Sequence, residues 1–312
     1  MSNSAIPEWD RTTPVLLAVF NRPEKTQLVF DAIRRARPQR LFIAADGPRE
    51  SVATDVENCR RTREVVSQID WNCDVQTQFK EINSGGSGPG VSSAIDWFFE
   101  QVDEGMILED DCVPHPSFFY FCQDMLRTYR DDRRVMHIGG SNFRFGDQVG
   151  DGTYYFSKVI NVWGWATWQR AWQTFDYDMK RFPRFVEQRI IENVYSSEKI
   201  QREYVRTFNN AYGNTWKCWD RRWMFAVYIN NGLSIVPNHN LVANIGFGAD
   251  ASAEYHEDDP VINMPTQALE EITHPSFMVP YREADEHYHL KVFTHPPLLK
   301  RIKRKLRKIL AR

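Results

Sequence analysis

The sequence has no Cys-x-x-Cys pair, no His-x-x-x-His spacing and no apolar run approaching 18 residues. Its five cysteines, Cys59, Cys73, Cys112, Cys122 and Cys218, are odd in number and scattered. Neither a disulfide framework nor a zinc site is therefore expected, and a reducing, cytoplasmic compartment is the simpler reading. Without a stretch of ~18 apolar residues no membrane-spanning helix is predicted. The first twelve residues also lack the apolar core of a secretory signal. Two phosphate-loop signatures are missing: no Gly-Lys-Ser/Thr occurs, and the glycines of residues 83–90 (NSGGSGPG) fall at 85, 86, 88 and 90, which is not Gly-x-Gly-x-x-Gly. A basic body is missing too. Of 39 Lys and Arg, eight lie in residues 300–312, leaving 31 against 41 acids in the remainder. An acidic body excludes a general nucleic-acid binder.

What is present suits a folded enzyme. The chain has 312 residues and is 42% hydrophobic, enough for one large domain or two small ones. Aromatics reach 13%, with ten Trp, and are read first as core residues. Residues 14–20 (PVLLAVF) form an apolar run typical of a buried parallel strand, and Pro23 suits the first turn of a helix. Strands are predicted over 41–45, 75–79, 105–108 and 135–138, with helices over 54–69, 91–99 and 118–129. Residues 83–90 read as a loop. This is an α/β pattern with a mostly parallel sheet. In the second half Trp163, Trp165, Trp168 and Trp172 crowd one segment, and Trp216, Trp219 and Trp223 another. Long helices are predicted over 182–212 and 218–231, and a loop over 240–256. Any boundary near residue 150 is a subdomain seam, giving subdomains 1–150 and 151–295. Residues 296–312 place Leu and Ile on one helical face and Lys and Arg on the rest, the composition of an interfacial helix on the inner face of a membrane. A solvated tail that folds on a partner is the bland alternative.

Glu109-Asp110-Asp111 directly follows the strand Met106-Ile107-Leu108. Ligands of open α/β sheets bind beyond the carboxyl ends of strands. Mg²⁺ or Mn²⁺ accepts one or two such carboxylates, with phosphate oxygens and water completing the shell. An acidic triplet can equally be a solvated turn. Arg22 follows the first strand and can meet a phosphate. Asp46 follows the second and can accept from a base or ribose. Each is also an ordinary surface residue type. His239 and His256 are weaker ligand candidates.

The ordered series Asn21-Arg22-Pro23, Asp46-Gly47, a Gly-rich segment with a helix, Glu109-Asp110-Asp111, Pro114 and Phe118-Phe119 resembles the GT-A nucleotide-sugar transferases. It is similar to the inverting N-acetylglucosaminyltransferases of the N-glycan type and to bacterial haemolysin-like homologues, over roughly residues 14–250. The resemblance implies a Rossmann-like, mostly parallel sheet flanked by helices, with a helix-rich acceptor-side second half. It implies that Asp111 contacts the metal, that Glu109 and Asp110 contact the donor sugar and ribose, and that Arg22 and Asp46 hold the nucleotide. Val162-Trp163-Gly164-Trp165 resembles the family's Gly-Trp segment and implicates Gly164 and Trp165 in donor binding. Trp219-Asp220-Arg221-Arg222-Trp223 resembles its Trp-Asp-x-Trp segment, with one extra residue, and makes Asp220 the implied general base. A strand over 234–237 and a closing loop over 244–250 complete the match. The family's His before the acidic motif has no counterpart.

The expected function is transfer of a sugar, with UDP-GlcNAc as the implied donor, to a glycan or lipid-linked acceptor. An ion pair of Asp220 with Arg221, Arg222 or Arg202 is the bland reading of that residue. A sugar nucleotidyltransferase would carry a Gly-rich loop with Arg and Lys after the first strand, where Asn21-Arg22-Pro23 stands. A non-catalytic carbohydrate-binding or membrane-associated module is the third hypothesis.

Overall fold

The structure, a computed structural model, describes residues 9–215, 217–247, 261–262 and 264–293. The expected tail over 296–312, His256, and residues 248–250 of the expected closing loop lie outside these.

The first third of the chain alternates strand and helix. It runs β1 (Val15–Val19), α1 (Pro23–Ala36), β2 (Arg40–Ala45), α2 (Asp55–Val66), β3 (Asp74–Phe79), α3 (Ser87–Phe99) and β4 (Glu104–Glu109). These four strands pair in parallel in the order β3-β2-β1-β4. β1 (VLLAV) is buried throughout because both faces are covered. Val15, Leu17 and Val19 point into a core with Val29, Phe30 and Ile33 of α1, whereas Leu16 on the opposite face joins Ala94, Ile95 and Phe98 of α3. Each fully buried side chain of this size contributes ~1.5–3 kcal/mol. Pro23 fixes the start of α1, and Arg37 ends it in a left-handed conformation with its N–H on the Ile33 carbonyl. The chain leaves β1 toward β2 on one side and later returns to β4 on the other. The strand order thus reverses between β1 and β4.

The chain continues through β5 (Cys112–Pro114), α4 (Pro116–Thr128), β6 (Val135–Gly139), β7 (Tyr154–Ser157), β8 (Trp165–Trp168), α5 (Gln169–Trp172) and α6 (Phe182–Glu187). It then forms a 3₁₀ turn (Ile190–Asn193), α7 (Glu198–Tyr212), α8 (Asp220–Ile229), β9 (Leu233–Pro237), β10 (Val242–Asn244) and α9 (Arg282–Tyr288). The sheet continues β4-β8-β6-β9-β7, with β8 and β7 antiparallel to their neighbours. Eight described strands therefore form one mostly parallel sheet flanked by helices, and it draws on both sides of residue 150. β5 and β10 pair separately as an antiparallel ribbon.

Four expectations of local structure change. The Gly-rich segment is only half loop, since α3 begins at Ser87. The predicted 182–212 helix is broken: Arg189 takes φ 53, and the chain passes through the 3₁₀ turn before α7. The first tryptophan cluster contains strand β8, because alternate rings pack into opposite faces of the sheet: Trp168 joins the α1/α4 side and Trp165 the α3 side. The predicted 240–256 loop contains β10.

Candidate functional site

A cleft of about 720 Å³ opens at the carboxyl ends of β1, β2, β3 and β4, next to the reversal in strand order. Its floor is one cross-strand row. Gln78 pairs with Ala44, Ala44 with Ala18, and Ala18 with Glu109, so all four side chains share the face toward α3. Two alanines in the middle leave space above the sheet, with polar side chains at either end.

The acids and Arg22 meet at the β1/β4 end. Arg22 Nη1 lies 2.9 Å from Asp111 Oδ2 and 3.4 Å from Asp110 Oδ1. The Phe20 N–H donates to Asp110 Oδ2 at 3.3 Å, tying the end of β1 to the turn after β4. Because β1 passes into α1 with only three residues between them, Arg22 is held where it faces the acids. Burial, then the charge of Asp111, raises the Asp110 carboxyl to about 7 despite Arg22. Burial, then Asp111, Asp110 and Asp220, pushes Glu109 well above the usual carboxylate range. Several carboxylates thus compete for too little positive charge. A divalent cation fits that imbalance, and Asp111 has room to bind one. Among the described residues its Oδ1 meets only the weak thiol donor of Cys112 at 3.4 Å and the Asn244 amide at 3.5 Å. Among the described residues no group of three or more His, Cys, Asp or Glu forms a complete protein cage, so phosphate and water oxygens would supply the other ligands.

Residues 244–247 close over Asp111. The β5–β10 ribbon brings Asn244 opposite Cys112. The Ile245 N–H donates to the Asp111 carbonyl at 2.8 Å, and the Gly246 N–H to Asn244 Oδ1 at 2.7 Å. A Cβ on Gly246 would sit 2.2 Å from Asp111 Oδ2, so only glycine passes there.

Asp46 directly follows β2. It lines the cleft, but its carboxylate accepts from the Ser84 N–H and hydroxyl, the Asn83 amide and the Gly47 N–H. Its first role is to anchor the loop before α3. A second network was not legible in the sequence. Buried Asp55 binds Arg49 through Nε at 2.6 Å and Nη2 at 2.9 Å, and accepts from Asn21 at 2.7 Å. Lys80 and Gln78 also line the cleft unforeseen, although the period-two alternation of β3 carries a faint signal for both.

Asp220 is brought to this region from the far half of the chain. It begins α8, and its charge reaches Glu109. The Gly88 N–H at the start of α3 donates to the Lys217 carbonyl at 2.9 Å, joining the cleft wall to the segment before α8. Of the alternative partners, Arg221 pairs with Asp220 at 3.3 Å, while Arg222 is buried and donates to the Tyr177 and Ala211 carbonyls and to Asn214. Trp219 and Trp223 are buried beneath, with Trp219 stacked on Trp165 at 5.5 Å between centroids.

The donor contact expected of Gly164 and Trp165 is not what this arrangement provides. Trp165 has no exposed surface and neither residue lines the cleft. Gly164 has φ 61, and a Cβ there would lie 2.7 Å from Val242. Its role is to let β10 cross close to β4. His239 is half-buried, with Nδ1 2.8 Å from the Ala268 carbonyl, and does not line the cleft.

No protein-family model matches the chain, and no curated protein does. Among solved structures it is similar in part to 4-diphosphocytidyl-2C-methyl-D-erythritol synthase from Anaerococcus prevotii, with 7% identity and a TM-score of 0.30 over 53% of this chain and 75% of that one. It is also similar in part to UDP-glucose pyrophosphorylase complexed with UDP-glucose, with 9% identity and a TM-score of 0.25 over 48% of this chain and 58% of that one.

Proposed function

We propose that this protein is a metal-dependent inverting glycosyltransferase, moving a sugar from a nucleotide-diphosphate donor, with UDP-GlcNAc the first candidate, to a glycan or glycolipid hydroxyl. The observation that carries this reading is the convergence at the strand-order reversal. Arg22, Asp110 and Asp111 meet at one end of a cleft whose alanine floor leaves room for a nucleotide. The volume is in the range of small-molecule sites.

In this reading the diphosphate lies beside the Arg22–Asp111 pair, and the sugar lies beside Glu109. Asp111 would hold Mn²⁺ or Mg²⁺, which would supply Lewis acidity for the leaving diphosphate. Arg22 adds a fixed positive charge where negative charge develops. Asp220 takes the proton of the acceptor hydroxyl. The oxygen attacks the anomeric carbon as its bond to the diphosphate oxygen breaks, and the nucleoside diphosphate departs. Attack opposite the leaving group inverts the configuration. The alternative is a sugar nucleotidyltransferase, although Asn21-Arg22-Pro23 stands where that class would carry a Gly-rich loop with Arg and Lys, and α1 starts at Pro23.

Calorimetry with UDP-GlcNAc and other nucleotide-sugars, with and without Mn²⁺, tests the site. Metal-dependent binding is expected, and Asp111→Ala abolishes it. Asp220→Asn is expected to keep donor affinity while lowering kcat ~10²–10⁴-fold. Failure of the folded wild type to bind any nucleotide-sugar rules out the reading. Pyrophosphate release from a sugar 1-phosphate and a nucleoside triphosphate would replace it with the nucleotidyltransferase.

A further inference from the structure

At the end of the cleft away from the acids, β3 presents two polar side chains on one face: Gln78 within the strand and Lys80 just beyond it. Alternation along the strand directs both toward α3. The Lys80 ammonium donates to Ser84 Oγ at 3.0 Å and Ser93 Oγ at 2.5 Å, two neutral hydroxyls. It pairs with no carboxylate among the described residues. An ammonium has three donors, so one remains for a ligand. Gln78 Oε1 is buried and accepts no hydrogen bond among the described residues, a state that native interiors seldom leave unanswered. The carboxylates nearby are engaged elsewhere, Asp46 with Ser84 and Asn83, and Asp96, which the Lys80 charge reaches, with Trp172 Nε1 at 2.7 Å.

We propose that Gln78 and Lys80 read the base of the donor nucleotide, selecting one that presents a ring carbonyl beside a ring N–H. The inference rests on the cleft being a nucleotide-sugar site. Gln78 and Glu109 stand at opposite ends of the row floored by Ala44 and Ala18, three strand spacings or about 14 Å apart. A nucleoside diphosphate laid along this row, with its phosphates at Arg22 and Asp111, brings its base over β3. Lys80 then donates to the ring carbonyl, and the Gln78 amide, turning its oxygen into the cleft, accepts the ring N–H. Uracil and guanine carry this pair of groups side by side. Cytosine has an unprotonated ring nitrogen next to its carbonyl, and adenine has no ring carbonyl. Lysine has no acceptor to offer, so the group it meets on the base must be an acceptor, and the ring N–H is read by the Gln78 oxygen.

The test is calorimetric titration with UDP, GDP, CDP and ADP in the presence of Mn²⁺. UDP or GDP is expected to bind at least about tenfold more tightly than CDP and ADP, and the comparison of UDP with GDP identifies the base. Lys80→Met and Gln78→Leu are expected to weaken the preferred ligand about ten- to a hundredfold, with CDP and ADP little changed. Gln78→Glu keeps an accepting oxygen and is expected to keep the preference. Because Lys80 also holds Ser84 and Ser93, Lys80→Arg separates base reading from loop anchoring by retaining the donors, and thermal unfolding confirms that each variant is folded. Equal affinity for all four nucleotides overturns base reading but leaves the nucleotide site standing, as does an equal loss for all four in the variants. Absence of binding by any of them overturns both.

Discussion

At the scale of single residues the molecule concentrates charge in one place and buries it sparingly elsewhere. The one guanidinium at the acids, Arg22, reaches both Asp110 and Asp111, yet burial and mutual repulsion still push Glu109 and Asp110 upward. Away from the site, His137 is fully buried, with Nε2 2.9 Å from the Asn161 carbonyl and Nδ1 accepting from Trp223 Nε1 at 3.2 Å. Burial lowers its pKa to about 4. The unfolded chain then binds a proton below about pH 6.5 that the folded chain refuses until about pH 4, so His137 makes stability fall as pH drops through that window. The full effect is at most about 3 kcal/mol. Asp285, raised to about 6 by burial, acts with the opposite sign, its contribution being lost as pH rises toward 6. The informative measurement is therefore the difference in denaturant stability between wild type and His137→Gln from pH 4 to 7. The variant is expected to show a flatter acid limb, and identical limbs would contradict the assignment.

At the scale of elements, junctions do the positioning. The β1–α1 junction sets Arg22, the start of α3 is fastened to Lys217, and the β5–β10 ribbon lowers residues 244–247 onto Asp111. The last of these depends on an absent side chain. Gly246→Ala places a methyl carbon 2.2 Å from Asp111 Oδ2, and relieving that overlap displaces either the loop or the carboxylate. The expected outcome is at least a tenfold loss of Mn²⁺ and donor affinity, read by calorimetry, with global stability changed by less than about 1 kcal/mol because the loop lies outside the main sheet. Unaltered affinity would show that the loop yields without moving Asp111.

At the scale of the whole molecule, one sheet joins the two halves of the chain, and an aromatic stack braces the join. Trp165 of β8 packs against His137, Trp172, Trp219 and Trp223. Those contacts hold the start of α8, and with it Asp220. Trp165→Ala is expected to destabilise the protein by about 3–5 kcal/mol, measured by urea unfolding. At temperatures where the variant remains folded, turnover is expected to fall more than donor affinity, because the cleft itself rests on β1 to β4. A proportional loss of both would place Trp165 closer to the donor than the geometry does.

The sequence by itself determined the alternating strands and helices of the first third and a mostly parallel sheet, because apolar runs such as residues 14–20, the alternation over 75–79 and Pro23 punctuate the chain that way, and it marked the acids after β4 and Arg22 after β1 as neighbours of a strand-end site. It also marked Asp220, though only through a resemblance. It did not determine that Trp165 and Gly164 serve packing, since a tryptophan on a strand and one on a ligand face look alike until the sheet assigns each ring a side. Nor did it determine that Asp46 is engaged by its own loop, that Gln78 and Lys80 face the cleft, or that α8 reaches Glu109. Each of these depends on register and on contacts between segments far apart in the chain, and only tertiary packing sets those.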